Sequence, residues 1–273
     1  MDSRLRTLVR SSAVATGVLM LLGVYTAAAG AGLTCEARWP LCDGAVFGLF
    51  PANWGSFIEW FHRLVAMLTG FLILGTTVSA WRRGAPRRVR LALAGGTLLL
   101  PSQILLGALT VTRYELLILT AHFVTAAAIY SLVVAAAAWA TAADAARLRR
   151  TVVLAAGALP LVALLSPRVL VTFGATVQFV YYGLGLAAFG ALLAATLWSR
   201  NPDVDAPASV TALVGLAAVA LLVILVVGRQ AYAFVLPSLL GALGVFALVA
   251  AAALLLYRRR EGVSGAGPAL SGD

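Results

Sequence analysis

Apolar runs close to 20 residues long alternate with short polar breaks along almost the whole chain. A bilayer-spanning helix needs about 20 such residues, and the runs predict eight spans: 11–31, 57–80, 91–111, 116–140, 151–167, 174–198, 209–228 and 235–257. The fifth is the most interrupted, because Pro160 and Pro167 fall within it and Arg168 follows it. The breaks are too short to hold a separate soluble domain. The pattern also repeats: Ile58-Glu59-Trp60-Phe61-His62-Arg63 leads into the second apolar run much as Val177-Gln178-Phe179-Val180-Tyr181-Tyr182 leads into the sixth. The expected fold class is therefore an all-α integral membrane protein, its eight transmembrane helices arranged as two tandem four-helix bundles. Residues 1–145 form the first unit, 146–262 a degenerate second unit, and 263–273 a short polar tail.

Composition strengthens this reading. Of 273 residues, 62% are hydrophobic and 11% charged, against about 45–50% and about 25% in soluble domains. The net charge of +10 comes from 20 basic and 10 acidic residues, and every basic residue is arginine. Such an excess can serve nucleic-acid binding, but here the arginines cluster at the ends of apolar runs, so no nucleic-acid partner is expected. Arg4, Arg6, Arg10, Arg82, Arg83, Arg87, Arg88, Arg90, Arg147, Arg149, Arg150, Arg200, Arg258, Arg259 and Arg260 share one set of ends. Only Arg38, Arg113, Arg168 and Arg229 lie at the other, and Arg63 is inside a helix. The positive-inside rule then puts both termini in the cytoplasm of a multi-pass cell-membrane protein, as an even number of spans requires. The opening MDSRLRTLVR resembles the start of a signal peptide, but the apolar stretch that follows exceeds the 7–15 residues of a signal core. A retained first helix is expected.

Ionisable side chains inside a bilayer are costly and call for an explanation. Glu59, His62 and Arg63 lie in the first turns of the second helix, and His122 in those of the fourth. His62 and His122 are the only two histidines. At about 1.5 Å per residue both fall roughly 8–10 Å below the outer surface. Matching depth on two spans is what a bis-histidine haem needs, since two imidazoles must reach one iron from opposite faces. Ala66 and Gly70 below His62, Thr125 and Ala126 below His122, and Gly107 in the third helix would leave room for a flat ring. The plainer alternative is that each histidine only hydrogen-bonds a neighbouring helix. Glu59 precedes His62 by three residues and shares its face. Beside a haem edge it can move protons or stabilise developing positive charge. It can also simply pair with Arg63, which in turn suits a haem propionate. Cys35 and Cys42, the only cysteines, fall in one outer, extracytoplasmic loop, where thiols this close can form a disulfide. Such a bridge is either a staple or a redox device; two cysteines supply half the ligands of a usual zinc site.

These residues resemble the haem A synthase family. Gly32-Leu33-Thr34-Cys35 with Trp39-Pro40-Leu41-Cys42-Asp43-Gly44 is similar to that family's first outer loop, and Glu59-Trp60-Phe61-His62-Arg63 to its Glu-x-x-His-Arg signature. Gln103 to Val111 and the Ala121-His122 step are similar too. The likeness covers about residues 12–140; beyond them only the hydropathy agrees. It implies an oxidoreductase that converts a methyl group of haem O to the formyl group of haem A for terminal oxidase assembly. His62 and His122 would hold the substrate haem, Glu59 would be the essential carboxylate, and Cys35 and Cys42 the outer redox-sensitive pair. Haem O synthase and an electron donor are the implied partners. Two-unit members bind a haem b through a second histidine pair; here Tyr181 occupies the place of one and Pro237 lies near the other, so one haem site is expected. Two other functions remain open: a haem carrier or assembly factor that does no chemistry, and a membrane thiol-disulfide oxidoreductase using Cys35 and Cys42.

Overall fold

A computed structural model describes residues 1–35, 45–46, 50–51, 53–113, 115–167, 169–228 and 235–265. Among them, nine α-helices carry nearly all the structure: α1 (Ser3–Ala28), α2 (Trp54–Arg82), α3 (Arg87–Leu98), α4 (Leu100–Thr112), α5 (Leu116–Trp139), α6 (Ala145–Leu164), α7 (Ala175–Ser199), α8 (Ala208–Gly228) and α9 (Val235–Gly265). Two-residue strands, Ala45–Val46 and Phe50–Pro51, pair antiparallel between α1 and α2.

Seven segments are long and apolar enough to cross a membrane, α3 and α4 counting together as Arg87–Thr112. The protein is thus a multi-pass membrane protein. α6 falls outside the seven because Arg147, Arg149 and Arg150 occupy its first turns. It starts at Ala145, six residues before the expected 151, because Asp144 caps it by accepting a hydrogen bond from Arg147 N–H at 2.7 Å. α1 likewise starts at Ser3 rather than 11, capped by Asp2, whose carboxylate accepts from Leu5 N–H at 2.7 Å. α2 starts at Trp54 rather than 57, capped by Asn53. Polar caps extend these helices past their apolar runs, which is why hydropathy placed their starts too late. The expected third helix is two: the ladder breaks at Leu99, ahead of Pro101, which has no N–H to donate.

α1 packs on α2 and α5, α2 on α3, and both α3 and α4 on α5, closing one ring. α6 packs on α7 and α9, and α8 on both, closing another. α1 and α5 meet α7 between the rings. Outward faces are apolar, with Val14, Leu68, Phe71, Leu117, Leu154 and Val219 exposed. Polar side chains turn inward instead: Ser12 and Thr76 hydroxyls are 3.0 Å apart, and those of Thr77 and Thr97 are 2.8 Å apart, linking α1 to α2 and α2 to α3. Lipid offers no hydrogen bonds, so polar groups seek each other across helices.

Candidate haem-binding site

α1 ends in a left-handed turn at Gly30, where φ is +68°; a side chain there would be strained. The turn sends the chain through a short helical turn, Ala31–Leu33, to Cys35, which is fully buried. α2 begins against this segment. Asn53 accepts from Ser56 N–H at 2.8 Å, and the Ser56 hydroxyl donates to the Thr34 carbonyl at 2.9 Å. One turn further, Glu59 lies only 2% exposed beneath the segment. One carboxylate oxygen accepts from the Cys35 backbone N–H at 3.1 Å, and the other pairs with the Arg63 guanidinium. The Glu59–Arg63 pair weighed from their spacing is therefore formed, and Glu59 also tethers α2 to the outer segment. Cys42, with Arg38 and Trp39–Pro40, lies outside the described residues.

His62 emerges from the same face of α2 toward α1. Its imidazole rests on Gly23, where a Cβ would stand 3.0 Å from Cε1. Nδ1 is buried and has no hydrogen-bond partner among the described residues. His122, on α5, rests in the same way on Gly107 of α4, where a Cβ would come within 3.3 Å of Cε1. The Gln103 amide nitrogen lies 3.3 Å from His122 Nε2. Gln103 and Gly107 are one turn apart on α4, and both lie against His122. The two imidazoles are carried by helices that face each other across the first ring, α2 and α5, each of which packs on α1 and α3.

The structure thus brings Glu59, His62 and Arg63 together on one helix and lays His122 against Gln103 and Gly107 of α4. Gly70 borders open space, and the glycine in contact with the His62 imidazole is Gly23 of α1. Gly107 does lie against a histidine. Gln103 and Gly23 received no role from the sequence. Gln103, a polar residue in a long apolar run, carried a signal that was there to be used; Gly23 carried none, because one glycine among many apolar residues has no direction until α1 is packed. Among the described residues no group of three or more His, Cys, Asp or Glu could hold a bare metal ion. Haem asks less of the protein. Its ring fills four positions of the iron, so two imidazoles complete the set. The donor pair, the unpartnered Nδ1 of His62 and the two side-chain-free glycine surfaces fit that group.

In the second ring, Tyr181 and Tyr182 are fully buried, with ring centroids 5.1 Å apart. Tyr182 donates to the Leu225 carbonyl at 2.9 Å and meets Phe123, next to His122, with centroids 5.7 Å apart.

A family profile, COX15-CtaA, described as cytochrome oxidase assembly protein, matches residues 6–262. The chain is similar to a protoheme IX farnesyltransferase of Halobacterium salinarum, 37% identical over 131 residues, which are 47% of this chain and 28% of the relative. It is similar to a heme A synthase of Bacillus licheniformis, 30% identical over 125 residues, 45% of this chain and 41% of the relative. With a heme A synthase of Bacillus pumilus it is 32% identical over 118 residues, 41% and 38% of the two chains. The chain spans between about a quarter and two fifths of the length of these relatives.

Proposed function

We propose, since this chain belongs to the COX15-CtaA family of cytochrome oxidase assembly proteins, that it works in haem A biosynthesis, oxidising a methyl group of bound haem O to the formyl group of haem A. The observation that carries this reading is the pair of sole histidines, His62 and His122, each laid on a glycine and carried by helices on opposite sides of the first ring. In it, the two imidazoles hold the substrate haem from opposite faces, the Gln103 amide marking His122 Nε2 as the nitrogen it would yield to the haem. Gly23 and Gly107 leave the imidazoles free to tilt onto the ring. Glu59, a turn above His62, supplies negative charge at the ring edge where positive charge develops. Arg63 fixes that carboxylate and offers its remaining donors to a propionate. Cys35 and Cys42 are taken as a bridge that pins the outer segment over Glu59.

The same reading has eight spans, α6 being the eighth, in two tandem four-helix units with both termini cytoplasmic and the cysteine loop outside. The arginine distribution supports it. Only the first unit is taken to bind haem, since Tyr181 and Tyr182 fill the second with packed rings. A farnesyltransferase-named relative that contains a stretch similar to this chain supports one further step: the enzyme that makes haem O is a partner that passes it on within the membrane. Turning the methyl into a formyl group takes in one oxygen atom and removes four electrons overall, so an oxidant from outside the chain accepts them, with a separate electron donor as partner where that oxidant is dioxygen split by insertion.

Glu59 is also what favours the second reading, a haem carrier without chemistry, because its existing bonds to Arg63 and the Cys35 N–H give it a purely structural employment. The test is the pigment. Protein purified in detergent should show a bis-histidine spectrum that disappears in His62→Ala and in His122→Ala. Glu59→Gln keeps an acceptor for the Cys35 N–H but loses the charge; it should bind haem and accumulate haem O. Unchanged haem A output from Glu59→Gln would favour the carrier.

A further inference from the structure

At the arginine-rich end, between the two helix rings, lies a cavity of about 350 Å³. Arg88, Trp139 and Thr141 line it from the first ring, and Trp198, Arg200 and Asn201 from the second. The Arg88 guanidinium sits over the Trp139 ring, 5.7 Å from its centroid, a contact that fixes its direction. Arg10 donates to the Thr141 hydroxyl from Nε and from a terminal nitrogen, at 3.3 and 3.1 Å, bringing a third cation to the wall. Among the described residues the ion pairs are Arg63 with Glu59 and Arg83 with Asp2; Arg10, Arg88 and Arg200 take part in neither. The C-termini of α5 and α7 point carbonyls this way and contribute about half a negative charge each. Arg88 and Arg200 on the wall and Arg10 behind Thr141 offer guanidinium donors to an anion; Asp144 and Asp203 adjoin the lining residues Ala143 and Pro202 without being on the wall themselves, and Arg147 stands beside Asp144 on the Ala142 carbonyl.

The setting selects the kind of anion. The cavity opens where the apolar spans give way to the arginine cluster, and half-buried Trp139 and Trp198 mark headgroup depth. An occupant with its phosphate at this level has apolar helix faces alongside for its chains, and basic pockets between spans suit anionic headgroups. Trp198 Nε1–H donates to the Ala138 carbonyl at 3.0 Å across the junction, so the cavity straddles the seam between rings.

We propose that this cavity holds the phosphate headgroup of an anionic phospholipid between Arg88 and Arg200, and that the bound lipid fastens the two rings together. The proposal does not depend on the haem reading. Delipidated full-length protein in neutral detergent is to be titrated with phosphatidylglycerol, phosphatidylcholine and inorganic phosphate, following thermal unfolding and bound lipid by native mass spectrometry. Phosphatidylglycerol should raise the unfolding midpoint and stay attached, and phosphatidylcholine should not. Arg88→Gln with Arg200→Gln should weaken phosphatidylglycerol about 30-fold, from about 1 kcal/mol per arginine. Arg82→Gln with Arg149→Gln, equal in charge change at the same end, should keep full affinity. If the double cavity variant does not purify, Arg200→Gln alone serves, with about a fivefold loss. Equal stabilisation by inorganic phosphate, equal binding of phosphatidylcholine, or an equal loss in the Arg82/Arg149 variant would each overturn the assignment.

Discussion

A methyl group at position 23 would stand 3.0 Å from Cε1 of His62, closer than carbon atoms pack. Either the imidazole rotates or α1 moves outward, and overpacking of this kind costs about 1–3 kcal/mol. Gly23→Ala should therefore leave a folded protein whose haem is held about tenfold less tightly and whose optical spectrum is altered. Gly157→Ala is the matched control, since Gly157 lies on α6 in the second ring with nothing within 4 Å of an added Cβ; it should bind haem normally. Equal behaviour of the two variants would remove Gly23 from the site.

The elements are anchored at their ends by short polar side chains, and two of these anchors are testable. Asn53 caps α2 directly over the Thr34–Cys35 segment. Losing a cap costs about 0.5–2 kcal/mol, so Asn53→Ala should speed amide exchange at Ser56 and Phe57 and lower the thermal midpoint, whereas Asn53→Asp should not. At the other end of the bundle, Asp2 accepts from Leu5 N–H and pairs with Arg83 at 2.9 Å. The Leu5 hydrogen bond first, and then Arg83, hold its carboxyl below the ordinary 3.8. Because the folded value is lowered, these contacts are complete at neutral pH and are lost as pH falls through that lowered value. Amide exchange at Leu5, corrected for its intrinsic pH dependence, should rise only in that acid range. Asp2→Asn, which keeps an acceptor but no charge, should abolish the dependence.

On the scale of the whole molecule, one face of α5 forms the seam with α7. Phe123 meets Tyr182, Tyr130 donates to the Leu186 carbonyl at 3.2 Å, and the Ala138 carbonyl accepts from Trp198. These positions on α5 are seven and eight residues apart, two helical turns each. Tyr130 is wedged between Gly17 of α1 and Gly190 of α7, where a Cβ would stand 2.6 Å from its hydroxyl. Tyr130→Phe should cost about 1 kcal/mol. Gly190→Leu should do far more, splitting a single thermal transition into two as the rings part. A single transition at the wild-type midpoint would show that the seam tolerates the added bulk.

Composition and pattern along the chain suffice for the membrane class and for seven of the eight expected spans. The reason is that a bilayer penalises each exposed polar group wherever it sits, so local composition suffices. Hydropathy ran out at helix ends, where Asp2, Asn53 and Asp144 extend α1, α2 and α6 through hydrogen bonds that carry no apolar signal. Nor does hydropathy carry the break before Pro101 that divides α3 from α4. Helix packing settles which glycine lies under which histidine, that Glu59 is tethered to Cys35, and that a cavity lined by Arg88 and Arg200 opens on the seam. Those facts depend on contacts between residues far apart in the chain, and the direction of such a contact exists only once the helices are packed.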